Sequence, residues 1–498
     1  MANQHVGNNR DVAGLLPRPS GVVASFAAAI ALAIAAAAIM VWYDPTAGAV
    51  LPLGAVIVAL MIRYPFAAYV FTLAQFSLVP IEGHLFGFFV PNLTQLLIPG
   101  LALAIVAQRL LRREWGVFRF CVPDVLVLAF LLSAYMGIFL MPGPRQWKYF
   151  TNQEAFPALM YFAARWLDID RRRFKYLLGA LLGSTFFMVS MLAIRAVTRW
   201  DPIWHQGGRG PIGSHADATA YFAIWPVFFL YAGTVAMREG RKRLAYLWFA
   251  GVMLTLFAVT GTYERSGLVA ALLGLLICFS RPKLARYMLI GLFLASPALI
   301  GWMNTSVGRS LHSRFQEEDP GLRRRLYRMK AINYINSPKW NPWLGTGFAR
   351  LADLSVDTIP ETMYVYDPKW QAFRQARSLA GRPIHCAPLT MYGEYGLLGT
   401  TCLSLFVLLL IAQSVRLFLG AHRSLRGPPD RDLIVVAWAA AAGVILNGIY
   451  HNTDTVMQVL VMCWSFSGLL IGHPEVFELE TRTVPHSGGR FRVPSNGP

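Results

Sequence analysis

Long, nearly uninterrupted apolar blocks constrain this chain more than any other feature of its sequence. Residues 21–41 and 287–303 are two clear examples. Blocks of about 20 apolar residues match the thickness of a bilayer core, where backbone polar groups must be satisfied within a helix. Only 14% of the 498 residues are charged and the mean hydropathy is +0.45, which excludes a soluble globular protein.

Hydropathy predicts an all-α polytopic membrane protein with about 12–14 transmembrane helices and one large, partly helical periplasmic loop. The weakest predicted spans centre near Thr72 and Met160. We expect residues 1–20 to be a cytoplasmic tail, 21–303 transmembrane helices, 304–387 the large loop, 388–472 the last transmembrane helices, and 473–498 a cytoplasmic, disordered tail.

Clusters of basic residues indicate the orientation of the chain. Each cluster follows an even-numbered predicted span, as the positive-inside bias requires if both termini are cytoplasmic. The clusters contain Arg109, Arg112 and Arg113; Arg171, Arg172, Arg173 and Lys175; Arg238, Arg241, Lys242 and Arg243; Arg281, Lys283 and Arg286; and Arg423, Arg426 and Arg431.

The predicted outer face is also basic. Arg145, Lys148, Arg209 and Arg265 fall there, and the large loop carries thirteen Lys or Arg residues against seven Asp or Glu. Guanidinium groups suit phosphate through paired hydrogen bonds, so the set favours a phosphate-binding site. A solvated charged surface or contact with anionic lipid headgroups is the alternative. Nucleic acid is a poor partner, because the formal charge of +19 is spread among membrane loops.

Two parts of the large loop have a recognisable pattern. Apolar residues recur at helical spacing through residues 322–335, with Arg323, Arg324, Arg325 and Arg328 on the other faces, which predicts an amphipathic helix. Residues 342–347 form a glycine-bearing turn that is too short for a phosphate-binding P-loop.

The loop ends at a candidate catalytic pair. His385 precedes Pro388, which suits the first turn of a helix, so the imidazole is expected at the mouth of the membrane domain. A histidine there could act as a general base, although a loop histidine is more often structural. Glu394 enters the bilayer, and a carboxylate in that position is functional or an ion-pair partner.

Metal ligands are not evident. The five cysteines are scattered and form no disulfide framework or CxxC site. The acidic cluster of the large loop, residues 317–319, suits a solvated helix approach better than a metal site.

Four stretches, in this order and spacing, resemble a known family. They are residues 213–221, which include Asp217; residues 262–267, which include Arg265; the helix around Arg325 with the turn at 343–347; and His385 with Glu394 and residues 396–399. Together they are similar to the motifs of the O-antigen ligase and lipid-linked glycan polymerase superfamily of bacterial inner membranes. Asp217 and Cys386 stand where that family commonly has Asn.

This resemblance implies metal-independent transfer of a glycan from undecaprenyl pyrophosphate to an acceptor hydroxyl on the periplasmic face, without a cofactor. It implies that Arg265 and Arg325 hold the pyrophosphate and that His385 removes the hydroxyl proton. Glu394 joins these catalytic candidates, and Arg145, Lys148, Arg209, Asp217 and Arg328 are candidate substrate-binding residues.

Several activities remain open. A ligase would use lipid A–core as acceptor, a polymerase another lipid-linked glycan, and a third enzyme a protein hydroxyl. A transporter, a flippase or a non-catalytic scaffold would belong to a different class, but no internal repeat of the kind common in transporters is evident.

Overall fold

The computed structural model describes residues 56–77, 93–140, 147, 150–199, 215–261, 265–303, 328, 331–338, 340–347, 364–367, 372–375, 386–422, 425, 427–450 and 457–479. Their helices are α1 Val56–Arg63, α2 Pro65–Ala74, α3 Leu93–Leu111, α4 Val122–Leu140, α5 Phe156–Trp166, α6 Arg171–Arg199, α7 His215–Phe222, α8 Trp225–Arg238, α9 Lys242–Gly261, α10 Arg265–Cys278, α11 Pro282–Met303, α12 Ala387–Leu419, α13 Arg431–Tyr450 and α14 Met457–Gly472. A π-helical turn, Thr151–Ala155, precedes α5, and 3-10 turns cover Gln75–Ser77, Trp115–Phe118 and Pro474–Phe477.

The predicted all-α polytopic membrane fold is confirmed. Six described helices are long and apolar enough to cross a membrane, or seven if a bent pair counts as one span. The described residues also include a two-stranded antiparallel hairpin inside the large loop, β1 Tyr364–Asp367 with β2 Ala372–Gln375.

The two weakest predicted spans have a structural reason. The segment around Thr72 is α2, which meets α1 at a bend of 115°, so the two helices form either one broken span or a re-entrant loop. The segment around Met160 is α5, which has only 11 residues and follows the π-helical turn. Short or broken helices carry a weak hydropathy signal because no single window of about 19 residues is filled.

A network of ion pairs joins helix ends that are far apart in the chain. Arg171 at the start of α6 lies 2.6 Å from Asp430 (Nη2 to Oδ2), whose carboxylate also accepts from the Tyr231 hydroxyl at 2.7 Å. Arg238 and Arg281 both pair with Asp432, the latter at 2.7 Å. Four of the five predicted cytoplasmic clusters therefore share one face of the molecule.

The fifth cluster, which contains Arg109, lies near the end of α5. Arg109 donates from Nε to the Trp166 carbonyl at 3.1 Å, at the end of α5. One residue earlier in α5, the Arg165 guanidinium pairs with Asp124 at 2.8 Å. The Arg109 cluster therefore lies at the end of α5 that leads into Arg171 of the next cluster.

Candidate active site

At the end of the bundle opposite this network, the described part of the large loop contacts α12. Helix α12 is interrupted at Gly396, whose backbone has φ 60° and ψ −163°. Such a break removes helical hydrogen bonds, and in a membrane protein the freed groups must find other partners. The loop turn at 342–347 supplies those partners.

Four backbone hydrogen bonds join the turn to the break. The N–H groups of Thr346 and Gly347 donate to the carbonyls of Gly393 and Glu394, each at 3.0 Å. In the other direction, the N–H of Leu397 donates to the Pro342 carbonyl at 2.8 Å, and the N–H of Leu398 donates to the Trp343 carbonyl at 3.1 Å. The turn therefore replaces the hydrogen bonds that the interrupted helix cannot make.

Glycine is required at this junction because the two backbones lie in direct contact. A Cβ on Gly345 would lie 2.4 Å from the Glu394 carbonyl oxygen, and one on Gly396 would lie 2.5 Å from the Gly345 nitrogen. Gly347 packs as closely on α4, where a Cβ would lie 2.8 Å from the Gly137 carbonyl oxygen. All three loop and α12 glycines also have positive φ, which a larger residue adopts only with strain.

The helical segment at residues 331–335 packs across the first turns of α12. Ala331, Tyr334 and Trp340 form a small core with Cys386, Leu389 and Tyr392. The Trp340 indole donates from Nε1 to the Gly393 carbonyl at 3.0 Å, so this core is tied to the break as well. The segment that follows Arg328 is thereby placed beside the segment that follows His385.

Two buried carboxylates lie at the same level. Glu394 is 4% exposed, and Glu154 in the π-helical turn before α5 is 5% exposed. The hydroxyl of Tyr395, itself fully buried, donates to Glu154 Oε1. Glu154 was missed in the sequence, although a carboxylate at the outer end of an apolar segment is a recognisable signal.

Arg265 and Arg328 approach the same helix end. α10 and α13 are antiparallel: a Cβ on Gly443 would meet the Ala270 carbonyl oxygen at 3.3 Å. This register places the start of α10, at Arg265, beside the last turn of α13. Arg328 donates from Nη2 to the Ile449 carbonyl in that turn at 3.2 Å.

The predicted motif at 213–221 contacts the start of α10. Gly267, in the first turn of α10, packs directly against the side chain of Thr219 in α7. Asp217 lies in the same helix two residues earlier, and its side chain is outside the described residues. Thr219 and Gly267, which come from two motifs separated by about 50 residues of sequence, are therefore neighbours.

The structure brings some predicted residues together and leaves others untested. It places Arg265 and Arg328 at one helix end, and Glu394 at the junction of the loop with α12. His385, Arg325, Arg209, Arg145 and Lys148 lie outside the described residues. Among the described residues, no group of three or more His, Cys, Asp or Glu side chains could hold a metal ion.

These features define a multi-pass helical membrane protein in which the turn at 342–347 packs on the break in α12, beside the buried Glu394. Residues 250–404 match the model of the family described as O-antigen ligase. This match confirms the family resemblance and supports a glycosyltransferase of the ligase or polymerase type. It covers Arg265, Arg328 and Glu394 and begins after Asp217. No curated protein gives a significant match.

Proposed function

We propose that this protein is an O-antigen ligase-like glycosyltransferase of the bacterial inner membrane. It would move a glycan from undecaprenyl pyrophosphate to a hydroxyl of lipid A–core on the periplasmic face. The observation that carries this proposal is the family match across residues 250–404. The matched region contains the turn at 342–347, the helix break at Gly396, and the two candidate arginines that the structure describes, Arg265 and Arg328.

The proposed reaction is a displacement at the anomeric carbon. The acceptor oxygen forms a bond to that carbon while the bond to the pyrophosphate oxygen breaks, and the electron pair leaves on the diphosphate. His385 takes the proton of the acceptor hydroxyl. Arg265 and Arg325 stabilise the negative charge that grows on the leaving group.

The other predicted residues extend this site. Arg328, whose Nη2 donates to the Ile449 carbonyl at the end of α13, binds the diphosphate together with Arg265. Arg145, Lys148, Arg209 and Asp217 bind the glycan or the headgroup of the donor. Glu394, nine residues after His385 and held at the loop junction, is suited to stabilise the imidazolium that forms.

A polymerase of the same superfamily is the second candidate, because it differs only in using another lipid-linked glycan as acceptor. Both activities need a diphosphate donor and a base beside the acceptor. A transporter or flippase would need neither His385 nor an acceptor hydroxyl. The acceptor therefore separates the two enzymes, and the histidine separates both from transport.

The test uses purified full-length protein in detergent with the lipid-pyrophosphate glycan donor, lipid A–core and EDTA. Wild type and His385→Ala are compared, with His473→Ala as the matched control, since His473 lies on the opposite face beside Glu475. We expect transfer by the wild type and by the control, and none by His385→Ala. Extension of the donor without transfer to lipid A–core would identify the polymerase. Transfer that survives His385→Ala would refute the catalytic assignment.

A further inference from the structure

Helices α10 and α13 pack closely over most of their contact. Gly274 lies against the Ala439 carbonyl, and Gly443 lies against the Ala270 carbonyl. Small residues at spacings of four bring the two backbones together, as in many transmembrane helix pairs. One turn further toward the loop, the same two faces carry Ser266 and Asn447 instead.

Both of these polar side chains are buried without a partner. Asn447 is 1% exposed and neither its Nδ2 nor its Oδ1 has a hydrogen bond; Ser266 is 8% exposed and its Oγ has none. The spacing from residue 443 to 447 and from 270 to 266 places them opposite each other. Leaving such groups unsatisfied costs about 1–3 kcal/mol each, so unpartnered buried groups require an explanation.

The surroundings indicate what would bind there. Ser266 is in the first turn of α10, where backbone N–H groups have no helical partner and the helix dipole favours an anion. Arg265 precedes it directly, and Arg328 reaches the last turn of α13, two residues after Asn447. The carbonyl of Ile449, which would repel an anion, already accepts from Arg328.

We propose that Asn447 and Ser266 form a phosphate-binding subsite, and that they donate hydrogen bonds to the diphosphate of the lipid-linked donor. The inference rests on the proposed function for the identity of this ligand. Asn447 Nδ2 and the Ser266 hydroxyl supply neutral donors between the two arginines. A neutral amide is suited to this place, because it binds phosphate oxygen without adding a charge within the membrane.

The ligand could come from two sources, since the donor and ordinary phospholipids both present phosphate at the membrane surface. Binding is therefore measured for full-length protein in phosphatidylcholine nanodiscs with undecaprenyl diphosphate, and separately with phosphatidylglycerol. The variants are Asn447→Leu and Ser266→Ala. Gln75→Leu is the matched control, because Gln75 is an amide that is also 1% exposed and also lacks partners.

We expect Asn447→Leu to weaken binding of undecaprenyl diphosphate about tenfold, as loss of one charge-assisted hydrogen bond predicts, and Ser266→Ala to weaken it less. Gln75→Leu should bind like the wild type. The thermal stability of ligand-free Asn447→Leu should not fall, because an unsatisfied amide has been removed.

Unchanged affinity in both Asn447→Leu and Ser266→Ala would overturn the subsite. The subsite would also be overturned if the variants lost as much affinity for phosphatidylglycerol as for undecaprenyl diphosphate, and undecaprenyl diphosphate did not displace phosphatidylglycerol from the wild type. These failures differ from failure of the proposed function. Wild type that transfers glycan while Asn447→Leu keeps its affinity refutes only the subsite. If Asn447→Leu weakens binding of undecaprenyl diphosphate but the wild type transfers no glycan, only the proposed glycosyltransferase activity is refuted.

Discussion

The backbone N–H of Gly347 donates to the carbonyl of Glu394 at 3.0 Å, across 47 residues of sequence. This contact belongs to the set through which the large loop completes an interrupted membrane helix. A loop attached in this way has a defined position relative to the bundle. The residues beside the turn, including the buried Glu394, are therefore positioned by backbone geometry as well as by side-chain contacts.

The junction should not tolerate a side chain at Gly396. Alanine there must adopt positive φ, which costs about 1–2 kcal/mol, and its Cβ would also contact the loop backbone. We expect Gly396→Ala to lower the melting temperature in detergent and to reduce glycan transfer. Gly179→Ala in α6 is the control, since a Cβ there meets no atom within 4 Å. Equal stability of the two variants would contradict a clamped junction.

The hydroxyl of Tyr395 should matter for stability through Glu154. Tyr395→Phe leaves a buried carboxylate without this donor, a loss of about 1–3 kcal/mol. Glu154→Leu removes the carboxylate itself. The variant that carries both Tyr395→Phe and Glu154→Leu should therefore lose less stability than the two single variants lose in total. A double-mutant cycle on thermal unfolding measures this coupling. Strict additivity would show that the two groups do not interact.

The ion pairs at the opposite face should contribute unequally. Asp432→Ala leaves Arg238 and Arg281 without their shared partner, and because these side chains are 31% and 28% exposed the loss should stay below the about 3–5 kcal/mol of a fully buried pair but exceed that of a surface pair. Asp168→Ala is the comparison, because its pair with Arg173 is exposed and is expected to contribute about 0–1 kcal/mol. Thermal unfolding of both variants tests this ranking. A smaller loss of stability in Asp432→Ala than in Asp168→Ala would contradict it.

Stability should depend on pH through His422, in the connection between α12 and α13. Burial lowers the pKa of His422 below its ordinary 6.5, and Arg416 lowers it further while Glu475 opposes the shift. The unfolded chain therefore binds a proton more readily than the folded protein. Stability should be retained above pH 6.5 and should fall as the pH drops from there through the folded pKa. His422→Gln should flatten this part of a melting-temperature profile.

The orientation can be tested with single cysteines in a cysteine-free background. Trp343 in the loop turn is 64% exposed, and the Arg241 side chain after α8 is 66% exposed. In intact cells, a maleimide that reaches the periplasm but cannot cross the inner membrane should label Trp343→Cys. The same reagent should label Arg241→Cys only after the cells are lysed. The reverse pattern would invert the topology and place the candidate site in the cytoplasm.

Part of this architecture could be predicted because its signals are local. Apolar length alone requires membrane helices, since a bilayer leaves the backbone no other partners. The basic clusters predicted which helix ends share a face, and the pairing of Arg171 with Asp430 agrees with that expectation. Glu394 could be singled out because a carboxylate in an apolar segment is costly wherever that segment packs.

Other features depended on the register between distant segments, which the sequence pattern does not contain. The turn at 342–347 was predicted as a turn, but its contact with the break at Gly396 is decided by how the loop folds back. Asn447 looked like one polar residue in an apolar helix. Only the antiparallel packing of α10 and α13 places it opposite Ser266 and beside Arg265, because side chains far apart in sequence meet only when helix packing fixes their relative height.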